Sequence, residues 1–513
     1  MTLKSLMLSS ALVMAALPAL TAAPALAEDK IINMATSFQI RSMDPVKQGF
    51  WMQEFGQGEL LMKFQPNGDI TPWLAESLTR KDDTTWVITI RDGVTFQNGK
   101  AMDVDAVLAS IAYFRENSSG TQAVVPAEAT FEKTGPREIT VNTGVPTPEL
   151  PNILAHESRL MIIDVETVLA AGDDFEKLEG AGIHTGPFKL ISLDDQKMIA
   201  ERYEDYWQGK PVMEGVELRF VSDANARILA VQNGEVDIAL YPPIAAAPVF
   251  KATPNLNLAL GPLSTGGFVG FMDVTNGTFE EKAVRRAAML AMNYEEIANS
   301  VFHGAKAPAT GLYNPNFAYA LKNYKYDMAA ANTLLDDAGW VRSGDTRTKD
   351  GETLSVTIMI YPQQPDLAPL SSAMQTYLSA VGIASEVVSV DSVREAAMND
   401  LVEWDIALSA TGTATVGSVS GFLNRYVACG GDRNYGGYCN AEAQALIEKL
   451  DVTVDEEARN EMLRKIQMIV AEDDPYIFNL TILKERALVS DAWSNYVPAV
   501  AWNHIKWDTA PNK

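Results

Sequence analysis

The sequence predicts an α/β protein, and three observations carry that reading. Short apolar runs with strand periodicity alternate along the chain with longer segments of helical periodicity, the pattern of layered α/β folds. Apolar residues make up 47% and charged residues 21%, the composition of a packed globular chain. The 513 residues allow about three domains at roughly 150 residues each.

The first segment reads as a targeting signal. Lys4 precedes an apolar stretch from Leu6 to Leu20, and Ala25-Leu-Ala27 forms a small-x-small cleavage site before Glu28. Residues 1–27 are therefore expected to be a cleaved signal peptide. No cysteine lies near residue 27, so no lipid anchor is expected there. A periplasm is the expected compartment, because a free secreted protein would otherwise diffuse away.

Ile31 to Ala35 opens the mature chain as a short strand. Residues 86–90, Trp-Val-Ile-Thr-Ile, alternate as a half-buried strand, and Asp92-Gly93 follows as a hairpin signal. After a turn at Asn98-Gly99, Val104, Val107, Leu108, Ile111 and Phe114 recur at helical spacing behind Asp103, a capping residue. Further strands are predicted at Val212–Val221, Val236–Leu240, Ser355–Ile360 and Asp405–Ser409. Helices are predicted at Glu281–Phe302, Asp327–Ala338 (ended by Gly339), Leu367–Val381 and Ala441–Ala471. A last strand, Ala499–Trp507, would have to return to an earlier sheet.

Composition excludes several function classes. With 41 Lys+Arg against 66 Asp+Glu the net charge is −25, which disfavours nucleic acid and anionic membranes as partners. After the first thirty residues, no stretch supplies the ~20 apolar residues of a membrane span. The two cysteines, Cys429 and Cys439, sit ten positions apart in a Gly-rich segment, and an isolated pair in an exported chain is expected to form a disulfide. The alternative is a metal site, but none of the four histidines (156, 184, 303 and 504) adjoins the pair.

Catalytic patterns fail one by one. His156-Glu157 opens a zinc-protease motif, yet residue 160 is Leu. Gly93 to Lys100 has one residue too many for a phosphate loop and ends before Ala101 rather than a hydroxyl. Gly417-Ser-Val-Ser-Gly421 has Val where a nucleophile elbow needs Ser. No enzyme and no cofactor is expected.

Pro72-Trp-Leu-Ala-Glu-Ser77, Thr84 to Phe96, Asn98-Gly99 and the following helix resemble the signature of the peptide/nickel family (family 5) of ABC-transporter solute-binding proteins. Thr185-Gly-Pro-Phe188, Tyr203-Glu-Asp-Tyr-Trp207, Gly209-Lys-Pro211, Asn225-Ala-Arg227 with Gly234 to Asp237, and Val284 to Gly304 keep the family's order, from about residue 60 to 480. The resemblance implies two lobes joined by a hinge that closes over a ligand, with the extra subdomain of the larger class. Expected boundaries are 28–265 for lobe I, completed by about 485–513 and including the extra subdomain at about 71–185, and 266–484 for lobe II. A monomer is expected, delivering solute to permease subunits driven by a separate ATPase.

The solute is less legible. The resemblance implies that peptide-binding members hold the α-amino group through an Asp after the strand near residue 405; here Ser409 to Leu423 contains no acid. Nickel-binding members can place a His in the following loop, and none lies between Trp404 and Asn440. Ser409, Thr411 and Thr413 could instead give neutral hydrogen bonds to a peptide-like, sugar or opine-like solute. Arg41 and Arg159 are candidates for a ligand carboxylate. Phe38, Tyr241, Phe268 and Trp502 are candidates for aromatic walls, with core packing as the alternative for each. His504 is the best single His for a metal complex. The alternatives are a nickel or metal-chelate binder of the same fold, and a periplasmic chaperone or sensor.

Overall fold

Two strands far longer than the rest organise the molecule: β6 (Leu256–Met272) and β11 (Ile477–Ser490). The computed structural model describes residues 30–512 apart from 157–158, 276, 400 and 500–503. In chain order the other strands of the main sheet are β1 (Ile31–Thr36), β2 (Phe188–Leu193), β3 (Lys197–Arg202), β4 (Gly215–Phe220), β5 (Ile238–Leu240), β7 (Lys306–Pro308), β8 (Ser355–Ile360), β9 (Ala384–Ser389) and β10 (Ile406–Gly412). The order is β9-β8-β10-β6-β11-β5-β1-β4-β3-β2, with β7 pairing β11 off this path.

The two halves of this sheet hang on β6 and β11. At their outer ends Leu256 pairs with Ser490 and Leu260 with Arg486, beside β5; at their inner ends Gly270 pairs with Phe478, beside β10. Between them the register slips at Leu260/Leu263, Leu263/Gly267 and Phe268/Val269. Interrupted ladders of this kind bend a sheet where regular pairing would hold it stiff. Gly267 is required here: a Cβ would lie 1.9 Å from the carbonyl oxygen of Thr481.

Buried side chains fill both halves, and the larger core spans them, Met34 and Leu218 sharing it with Met359, Ala407 and Tyr426. Beyond β10, the amphipathic helix Lys282–Ala291 buries Val284, Ala287 and Ala288 with Leu335, Leu370 and Met374 of neighbouring helices. On the other side Met34, Leu218, Ile238 and Phe188 share a core with the four-stranded sheet Ala75–Arg80, Thr85–Ile90, Glu138–Asn142 and Thr130–Lys133, in that order. The helix Val104–Asn117 packs there, its N-terminus capped by the Asp103 carboxylate, which accepts from the Ala106 N–H at 2.9 Å.

Four sequence expectations change. Glu281–Phe302 is not one helix: it breaks at Met292 (ψ 122°), and the Asn293 side chain accepts from the Glu296 N–H at 3.1 Å to start a new turn. Ala441–Ala471 divides into Ala441–Val452 and Glu456–Met468, because Asp455 caps the second piece through the Ala458 N–H. Asp92-Gly93 joins no hairpin, since Thr85–Ile90 pairs with Ala75–Arg80 and Glu138–Asn142; local polar turns alone do not choose a strand's partner. Of the expected strand Ala499–Trp507, residues 500–503 lie outside the described residues and His504–Lys506 join no ladder. There the His504 N–H donates to the Glu54 carbonyl instead, at 2.8 Å.

Candidate ligand-binding cleft

A cavity of about 540 Å³ opens where β6 and β11 change register. Phe38, Tyr241, Glu485, Arg486 and His504 line one side; Phe268, Lys306, Asp366 and Thr411 line the other. Its size lies within the range of small-molecule sites, whose walls combine apolar surface with a few placed polar groups.

The aromatic wall is held by backbone geometry. Tyr241 follows directly on β5 with φ 53°, a left-handed conformation uncommon for a non-glycine residue. Its N–H donates to the Arg486 carbonyl at 3.2 Å and its own carbonyl accepts from Arg227 at 3.1 Å, which fix that turn. The ring meets Phe38 edge-on with centroids 5.3 Å apart, and Phe38 remains 48% exposed, an aromatic face open to the cleft. Opposite, Lys306 Nζ lies 4.1 Å from the centroid of Phe268, a cation–π contact.

Charge concentrates beneath the aromatics. Buried Glu54 accepts from the Tyr241 hydroxyl at 2.8 Å, and its Oε1 lies 3.1 Å from His504 Nε2. The other ring nitrogen of His504 is 3.3 Å from the Tyr496 hydroxyl. Burial and the Glu54 charge push the Tyr241 hydroxyl well above the ordinary tyrosine range. Lys306 faces Asp366 at 3.8 Å, and burial, with the nearby Arg486 charge, lowers its ammonium to about 8. Burial also raises the Glu485 carboxyl, while Arg486 Nε donates to the Pro242 carbonyl at 2.8 Å.

The residues singled out from sequence fall in different places. Phe38, Tyr241, Phe268, Thr411 and His504 come together in the cleft. Ser409 stands opposite Val269 in the β10–β6 ladder and does not line it. Thr413 is buried, with its N–H donating to the Thr265 carbonyl at 3.0 Å. Arg41 lines a separate groove among Asp173, Asp174, Asp194 and Asp195. Arg159 packs beside Gly120, and its carbonyl accepts from the Thr121 hydroxyl at 2.6 Å. Trp502 lies outside the described residues. Cys429 and Cys439 are joined as a disulfide.

Glu54, Lys306, Asp366, Glu485 and Arg486 were not singled out. One signal was present: Lys484-Glu-Arg486 places three charges inside the apolar run from Tyr476 to Val489, unusual for a strand that crosses a core. The others share no local pattern.

Residues 69–434 match the family model described as bacterial extracellular solute-binding proteins, family 5 middle. The chain belongs to this family. The nickel-binding protein NikA of Staphylococcus aureus is 24% identical over 451 residues, covering 87% of each chain. The glutathione-binding protein GsiB of Salmonella typhimurium is 26% identical over 486 residues, covering 90% of each. Among solved structures, a nickel ABC transporter protein from Bacillus halodurans superposes with TM-score 0.81 at 25% identity, covering 93% of this chain and 99% of that one. A putative peptide-binding protein AppA from Clostridium difficile superposes at 0.76 and 18%, covering 93% and 99%. This family 5 protein has the two-lobed architecture and is the substrate-binding component of an ABC transporter, not an enzyme. Family 5 proteins bind small solutes and work with ABC permeases; among the described residues, no helix is long and apolar enough to cross a membrane.

Proposed function

We propose that the protein captures a peptide-like or other small polar solute in the cleft at the register slip, between a lobe of residues 28–265 completed by about 485–513 and a lobe of residues 266–484. It works in the periplasm after removal of residues 1–27 and delivers the solute to permease subunits driven by a separate ATPase. One observation carries this reading: the cleft sits over the interrupted antiparallel ladder of β6 and β11 and is lined from both halves of the sheet, so a bend in these two strands changes its width. Phe38, Tyr241 and Phe268 supply apolar contact, and Thr411 with the backbone around Gly266 supplies neutral hydrogen bonds.

A metal chelate is the second reading, supported by the similarity to nickel-binding relatives. His504 already contacts Glu54, Tyr241 and Tyr496, which favours a metal arriving inside an organic chelate over a bare ion on the protein. Native and denaturing mass spectrometry of protein purified from its host, with elemental analysis, tests both. A released organic mass supports the first reading. Stoichiometric metal that persists in His504→Ala supports the chelate. An empty cleft after incubation with peptide and metabolite mixtures counts against capture.

A further inference from the structure

Glu485 stands out among the charged groups of the cleft because the others already have close partners. Its carboxylate lines the cavity from β11, and among the described residues no hydrogen-bond donor or cation lies within bonding distance of it. The neighbouring cations His504, Arg486 and Lys306 act on it through space, while their close contacts lie elsewhere. Lys306 sits over the Phe268 ring and faces Asp366, Arg486 holds the Pro242 carbonyl through Nε, and His504 contacts Glu54. A carboxylate half-buried in a cavity loses part of its hydration, and native structures compensate such groups with a donor or a counter-charge. The cavity leaves room for one.

We propose that Glu485 receives the positively charged nitrogen of the solute, and that the protein selects solutes carrying a free ammonium group. The inference rests on the capture reading above and names its ligand class. An ammonium placed on Glu485 would have Phe38 and Tyr241 beside it in the same cleft, so the carbon bearing it would be held against aromatic surface. Ser409 to Leu423, where the sequence holds no acid, therefore need not supply the counter-charge: the strand across the cleft does.

The test is a competition by native mass spectrometry and calorimetry on the mature protein. The probe is a mixture of amino acids, small peptides and amines, each with its N-acetylated twin, plus sugars and nickel–histidine. Capture of free amines with N-acetylated twins weaker by about thirty-fold or more, and loss of that preference in Glu485→Gln, is the expected result. Twins bound equally by the wild type would overturn the inference without reference to any variant. A preference retained in a folded Glu485→Gln would do the same. Capture only of solutes without an ammonium overturns it and leaves capture standing. No capture of any solute sinks both.

Discussion

Glu149 and Arg459, 310 positions apart in the chain, meet with Arg459 Nη2 donating to Glu149 Oε1 at 3.0 Å. The same carboxylate accepts from the N–H groups of Val419 and Ser420, at 3.3 and 3.2 Å, and from the Ser418 hydroxyl. Nearby, Asn152 donates to the Val416 carbonyl at 2.8 Å. These bonds tie the short helix Leu150–Leu154 to the segment that follows β10, away from the hinge strands. Because Val416 also lines the cleft, the clasp fixes one of its walls.

Removing the clasp is expected to favour an open cleft. Glu149→Ala deletes several bonds to a largely buried carboxylate, and hydrogen bonds to charged groups contribute about 1.5–3 kcal/mol each. An apparent affinity loss of about tenfold or more is expected for the natural solute, with a larger radius of gyration by solution scattering. Arg459→Ala in the Glu149→Ala background should add little, and full additivity in this double-mutant cycle would contradict the clasp.

Two buried groups give stability opposite dependences on pH. Burial raises Glu59 from 4.5 to about 7, although Tyr206, Trp207 and Thr185 donate to it. The folded state then binds a proton more tightly than the unfolded chain. The Glu59 contribution therefore falls by about 3 kcal/mol as pH rises from 4.5 to 7, and is flat above. His184 is depressed from 6.5 to about 4 by burial, so its contribution is complete above 6.5 and is lost as pH falls to about 4. Urea unfolding from pH 4 to 8 should show Glu59→Gln gaining on the wild type across pH 4.5–7 and tracking it above pH 7.

The disulfide stabilises a loop that lies outside the cleft. Cys429→Ser with Cys439→Ser should lower unfolding free energy by about 2–3 kcal/mol. Arg425 and Asp432, bonded at 2.9 and 3.0 Å, keep part of the loop's shape without the cross-link. Solute affinity is expected to change by less than about threefold. Denaturant titration and calorimetry on the same sample would separate the two effects.

Two glycines separate backbone crowding from chain entropy. Gly267→Ala forces a Cβ against the Thr481 backbone, which cannot swing aside, and should destabilise by about 3 kcal/mol or stiffen the hinge. Gly421→Ala, inside the helix Ser420–Tyr426 with open space around it, should stabilise by about 0.5–1 kcal/mol. A melting temperature unchanged in Gly267→Ala would show that the strands bend freely at this position.

Elements with strong local signals were legible before any coordinates. Asp103 caps its helix, Asp327 caps Met328–Asp337, and Gly339 ends it with φ 85°. Ile31–Thr36 and Ser355–Ile360 read as strands from their apolar runs. The longest strands did not. Leu256–Met272 carries Gly261, Gly266 and Gly267, which local reading takes as turns, and Tyr476 to Ser490 carries three successive charges. Both are strands because neighbours on each side complete their ladders, and that pairing comes from residues more than two hundred positions away.

By itself the sequence determined the α/β class, the helix starts, the disulfide and the family, because each depends on residues at short spacing or on blocks kept in order. Tertiary structure alone decided that Phe38, Tyr241, Phe268, Thr411 and His504 share one cleft while Ser409 and Thr413 do not. It also decided that Glu485 faces that cleft without a bonded partner among the described residues and that Glu149 clasps Arg459. A side chain's partners are set by register and by which strands cross, so the charges that matter most were the ones with no neighbour in sequence to announce them.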